Sequence, residues 1–175
     1  MTDPGRTVLP SEAALERRLL GMALPDLELE YAEDASLSIA ALAARSDLVI
    51  FFYRGLASLS NEVQLQEESR VLEWVDNEFA LEQLGYEIVG VSVQTVVSQA
   101  RLAGGEPISY CLLSDPELRL AAILELPTSE LQGKRAYEPL TMLVRDERVS
   151  RVIFPVDPYH DAMSVVDWLQ REARR

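Results

Sequence analysis

The sequence predicts an α/β protein: a central mixed β-sheet with helices on both faces and a β-hairpin late in the chain. Three observations carry this. The runs Asp47–Tyr53 (DLVIFFY), Tyr86–Val93 (YEIVGVSV) and Ile108–Leu113 (ISYCLL) are continuously apolar rather than alternating, as strands covered on both faces are. Segments with helical spacing separate them, which is the pattern of a parallel-rich sheet. Two further strand-like runs, Leu140–Val144 and Val149–Phe154, are joined by Arg145-Asp146-Glu147-Arg148 alone, so they pair as a hairpin.

Taken in order, residues 1–10 carry Pro4, Gly5 and Pro10 and read as a flexible tail, leaving 11–175 as one domain. Ser11–Leu20 starts with a Ser cap and makes a short helix, which Gly21–Asp26 breaks. Leu27, Leu29 and Tyr31 alternate with acids as in an edge strand, and Ser36–Ala44 suits a short helix. After the first buried strand, Leu56–Ser60 is a loop, and a long helix follows over Asn61–Leu84. Its inward stripe is expected at Leu65, Leu72, Val75 and Phe79. Seven acids on that helix face a single cation, Arg70, and read as a solvated face. Thr95–Ala103 is a helix stopped by Gly104-Gly105. Pro116 opens a helix over Glu117–Leu124. Pro127–Tyr137 is polar and irregular, with a small basic spot at Gly133-Lys134-Arg135. Pro155–His160 is a loop, and Asp161–Arg174 is a terminal helix with Ala162, Val165, Val166 and Leu169 inward.

Composition narrows the function. Of 175 residues, 48% are apolar and 26% charged, enough for a core that needs neither disulfide nor metal. The net charge of −13 works against nucleic-acid binding. One cysteine, Cys111, excludes an intramolecular disulfide and a Cys-based zinc site, and one histidine, His160, excludes a His cluster. No apolar run approaches the ~18 residues of a membrane span, and Met1–Arg6 lacks a signal-peptide core. The expectation is a cytoplasmic protein without cofactor, membrane contact or nucleic-acid partner.

Several segments share a more specific pattern. Gly21-Met22-Ala23-Leu24-Pro25-Asp26-Leu27-Glu28-Leu29, Val49–Tyr53, Val91-Ser92-Val93, Leu112-Leu113-Ser114-Asp115-Pro116 and Leu140–Asp146 stand in the order and spacing of a known set. Together they resemble the thioredoxin-like fold in its peroxiredoxin form, the alkyl hydroperoxide reductase/thiol-specific antioxidant and redoxin family. The resemblance covers about Gly21 to Leu169. It implies an active loop, F-Y-P-x-x-x-T/S-x-x-C, whose cysteine opens the long helix. There the helix dipole, backbone amides and an arginine favour the reactive thiolate. In this chain Arg54 takes the proline's place, Ser58 keeps the hydroxyl and Asn61 stands at the cysteine. A related pattern, F-Y-R-G-x-W-C-x-x-C, accounts for Arg54-Gly55 and puts Ser58 and Asn61 at its two cysteines. Pro139 lies where the family arginine precedes Thr141, and Ala103 stands at one branch's resolving cysteine.

These substitutions leave three readings. In the first, the protein is a non-peroxidase of this fold that binds a protein or small molecule, through a partner surface or a remnant pocket of Arg54, Ser58, Asn61, Gln64 and Pro139. Asn61 can equally serve as a helix cap with Gln64 completing the box, and Arg54 can pair with a surface acid. In the second, the protein is a one-cysteine thiol oxidoreductase using Cys111, which needs an exposed thiol near a cation such as Arg101; otherwise Cys111 is an inert core residue. A Ser–His hydrolase has little support, since His160 sits in a loop and no G-x-S-x-G elbow is present. Proteins of this fold commonly dimerise, so a homodimer is expected, and a purely structural role as a homodimer or subunit is a third reading.

Overall fold

The computed structural model describes residues 8–55, 61–103 and 108–175, with the backbone alone at 61 and 101–103. The elements run α1 (Glu12–Leu19), β1 (Glu28–Ala32), β2 (Ala35–Ser38), α2 (Ile39–Arg45), β3 (Asp47–Phe52), α3 (Asn61–Gln83), β4 (Tyr86–Ser92) and α4 (Val96–Ala103). They continue with β5 (Cys111–Ser114), α5 (Arg119–Leu124), β6 (Thr128–Leu131), β7 (Lys134–Tyr137), β8 (Leu140–Arg145), β9 (Arg148–Ile153) and α6 (Asp161–Ala173). Seven strands form one sheet in the order β2-β1-β5-β4-β3-β8-β9. The three apolar runs supply its parallel centre, β3, β4 and β5, and β8 and β1 flank this centre antiparallel. This is the mixed α/β sheet with a late hairpin that the sequence predicts.

Each face of the sheet carries its own core. On one face α1, α2 and α5 set Leu15, Leu19, Ile39, Leu42, Leu120 and Leu124 against Ile50, Phe52, Val89 and Val91. On the other, α3 and α6 set Val71, Trp74, Leu81, Val165 and Leu169 against Val49, Phe51 and Ile88. Alternation along the strands sorts these residues to the two faces. The outer edge of β9 is covered by the N-terminal segment. Gly21 N donates to Val149 O at 2.8 Å, and Val149 N donates to Met22 O at 2.9 Å, which removes a free pairing edge there.

Four local expectations are corrected. Ser36–Ser38 belong to a strand rather than a helix. Leu37 pairs with Leu29, and Ser38 Oγ then accepts Ala41 N at 3.3 Å to start α2. Strand β5 begins only at Cys111, because Tyr110 is drawn toward α3, where its hydroxyl donates to Val71 O at 2.8 Å. The helix after Pro116 starts at Arg119, since Leu118 adopts φ +54° and the Asp115 carboxylate receives Arg119 N and Leu120 N at 3.0 and 2.9 Å. The polar stretch Pro127–Tyr137 is not irregular but holds a second hairpin, β6–β7. It is turned by Gln132-Gly133 with φ +51° and +75°, both in the region that a tight two-residue turn needs.

The fifth correction concerns α3. Leu65, Leu72 and Phe79 point outward, 60%, 39% and 72% exposed. The buried positions are Glu67, Arg70, Val71, Trp74 and Leu81. At 100° per residue the helix therefore lies about half a turn from the expected orientation. Trp74 decides it: its ring stacks on Phe51 at 5.3 Å and 14°, filling space on the sheet that no leucine fills as well.

Candidate functional site

The parallel strands end where β3 hands the chain to α3. Tyr53 N still donates to Val91 O at 3.0 Å, so the strand pairing runs one residue past β3. Arg54 and Gly55 then turn away. Gly55 has φ +92°, and a Cβ there would lie 2.7 Å from Gln94 Cγ, so both backbone and space require glycine. This fixes Arg54 at the lip of a cleft of about 290 Å³ that Pro139, Glu138 and Phe154 also line.

Charges around the cleft are paired in two tiers. At the lip, Arg54 Nη2 lies 2.9 Å from Glu138 Oε2, with both side chains mostly buried. Behind it, Glu67 of α3 is 2% exposed and its Oε2 accepts Arg54 N at 2.7 Å. Burial pushes the Glu67 carboxyl above the usual range, opposed chiefly by the charge of Arg70.

Deeper still, Arg70 is fully buried. Its Nε donates to Asp161 Oδ2 at 2.9 Å, and Nη2 lies 2.8 Å from the same oxygen as an ion pair. Nη1 donates to Phe52 O, and Nη2 also donates to Leu140 O and Thr141 Oγ1 at 3.2 and 3.0 Å. Thr141 Oγ1 in turn donates to Asp161 Oδ2 at 2.7 Å. One guanidinium thus ties β3, α3, β8 and α6 together beneath the cleft. The sequence predicts Glu67 and Arg70 on a solvated face. Their burial corrects that expectation, because the half-turn that seats Trp74 carries both inward as well. The available signal was Arg70 itself, one cation among seven acids.

The remnant-pocket residues divide. Arg54 and Pro139 line one cleft. Gln64 is half-buried, and its Nε2 donates to Glu68 Oε1 at 2.9 Å along the helix. Ser58, the Asn61 side chain and the Asn61–Gln64 capping box lie outside the described residues, as do Arg101's side chain and Gly104-Gly105. His160 is exposed, with Nδ1 2.9 Å from Asp157 Oδ2.

Cys111 sits elsewhere. It opens β5 in register with Val89 and packs on the cluster of Ile50, Phe52 and Val91, whereas α3 packs on the opposite face. It is half-buried, and burial pushes its thiol up to about 11. The charge of Arg45 acts against that rise, and the charge of Glu87 adds to it. Among the described residues no group of three or more His, Cys, Asp or Glu is placed to hold a metal ion. Among them, too, no helix is long and apolar enough to cross a membrane.

No family model matches the chain, and no curated protein matches it. Solved structures do. Peroxidoxin BcpB from Mycobacterium tuberculosis is 22% identical, with 87% of this chain and 97% of that one covered at a TM-score of 0.73. The bacterioferritin comigratory protein of Xanthomonas campestris, described for its alkyl peroxide reduction activity, is 23% identical, with 98% of each chain covered at 0.71. Reduced Prx3 from Vibrio vulnificus, in complex with hydrogen peroxide, is 15% identical, with 89% and 98% covered at 0.75. At these identities the likeness is one of architecture, and with the sheet order and helix placement above it establishes that this chain has the thioredoxin-like fold in the form peroxiredoxins take.

Proposed function

We propose that this protein is a non-peroxidase of the peroxiredoxin fold, acting by binding a small molecule or a protein segment at the cleft of Arg54, Glu138 and Pro139. In sequence, Ser58, Asn61 and Gln64 follow Arg54 within ten positions. One observation carries the proposal: the single sulfur nucleophile, Cys111, packs against the face of the sheet opposite α3. Peroxide reduction needs a thiolate to accept oxygen as a sulfenic acid, and the Asn61 carboxamide forms none. The Arg54 guanidinium, which could otherwise polarise a substrate, is held by Glu138.

The second reading keeps Cys111 as a one-cysteine oxidoreductase. Its half-burial and its place along an open groove of about 1020 Å³ favour it. The raised thiol pKa opposes it, since little thiolate is present at neutral pH.

Consumption of hydrogen peroxide and cumene hydroperoxide in the presence of dithiothreitol separates the two. The expected result is no turnover beyond the buffer rate for the wild type and for Cys111→Ala. Turnover that Cys111→Ala abolishes establishes the second reading, and turnover that survives Cys111→Ala overturns both. A cytoplasmic homodimer completes the proposal, and one cysteine suits a reducing compartment. Light scattering that gives a monomer at micromolar concentration removes the dimer.

A further inference from the structure

The half-turn of α3 leaves an apolar line on its outer side. Leu65, Leu72 and Phe79 recur every seven residues and are 60%, 39% and 72% exposed. Seven residues make nearly two turns, so the three stand in one row about 21 Å long. Half-buried Val75 adjoins it. Glu62 and Asp76 flank the row on one side, Glu68 and Glu82 on the other. Arg70, the one cation on this helix, is buried against Asp161, so the helix itself supplies no positive charge to offset the flanks.

We infer that this face docks a cationic amphipathic helix of another protein. A single apolar row bordered by carboxylates on both sides matches an amphipathic helix whose apolar stripe is bordered by cations. Its complement carries apolar residues every three to four positions, with Lys or Arg beside them. Charge selects the occupant. A second copy would set eight flanking carboxylates against one another, in a chain of net charge −13. An anionic bilayer is repelled for the same reason. Three heptads of contact form a small interface, which suits a transient complex.

The probe is a synthetic 21-residue peptide with Leu at positions a and d, Lys at e and g and Gln elsewhere, labelled with fluorescein and titrated by anisotropy in 50 mM NaCl. A scrambled peptide of the same composition serves as control. Saturable binding is expected for the ordered peptide alone. It should weaken at least ten-fold in Leu65→Ser/Phe79→Ser and at least ten-fold in Glu68→Lys/Asp76→Lys, with the thermal unfolding of both variants close to wild type. Absence of binding overturns the inference. Equal binding of the scrambled peptide, or binding unchanged in Leu65→Ser/Phe79→Ser, also overturns it by reducing the interaction to net charge. A peptide-free dimer that Leu65→Ser/Phe79→Ser converts to monomer assigns the face to a second copy instead.

Discussion

Arg70 shows how one side chain can organise a site without reaching solvent. Its charge is matched by Asp161, and its other donors meet Phe52 O, Leu140 O and Thr141 Oγ1. A buried ion pair adds little net stability over an apolar replacement, but breaking it leaves a bare charge in the interior. Arg70→Met should therefore cost about 3–5 kcal/mol in urea unfolding, because Asp161 is left buried and unpaired. The double variant Arg70→Met/Asp161→Asn should recover a large part of that loss. If it costs as much as the single variant, hydrogen bonds to the backbone, rather than charge, dominate. The sequence names Arg70 but not its partner, which lies 91 positions away. Cys111 poses the same difficulty. A strand position is legible, yet which face of the sheet it joins depends on strand order and register.

At the level of elements, the α3 stripe is the instructive failure. Its apolar residues fit two rotations, one burying Leu65, Leu72 and Phe79 and one burying Val71, Trp74 and Leu81. Spacing alone does not choose between them. The sheet chooses, because Phe51, Tyr53 and Tyr110 form an aromatic surface on which Trp74 stacks. Two substitutions test the rotation. Trp74→Ala should destabilise the protein by about 3–5 kcal/mol, as emptying a core aromatic site does. Phe79→Ser should change stability by no more than about 0.5 kcal/mol, as exposed substitutions do. The reverse ranking in thermal or urea unfolding would show the helix seated the other way. The strands were far more legible: continuous apolar runs mark burial on both faces whatever packs there.

For the molecule as a whole, charge is the unusual quantity. A net charge of −13 on 175 residues opposes compaction through self-repulsion. Surface pairs such as Arg45–Glu87 at 2.8 Å and Arg18–Glu125 at 3.5 Å are each worth about 0–1 kcal/mol and do not cancel it. Screening should then stabilise: the melting temperature is expected to rise between 10 and 300 mM NaCl as the Debye length falls from about 30 Å to below 10 Å. A falling melting temperature would mean that attractive pairs outweigh the excess of acids.

The chain by itself determines the α/β architecture, the late hairpin and the absence of sulfur from the start of the long helix. These depend on residue identity and on periods of two or a few residues, which any local stretch displays. Only the tertiary structure decides that Glu67 and Arg70 are interior, that Arg54 meets Glu138, and that Cys111 lies across the sheet from α3. Each joins positions remote in the chain through a choice of face, and the shape of the packed aromatic surface makes that choice.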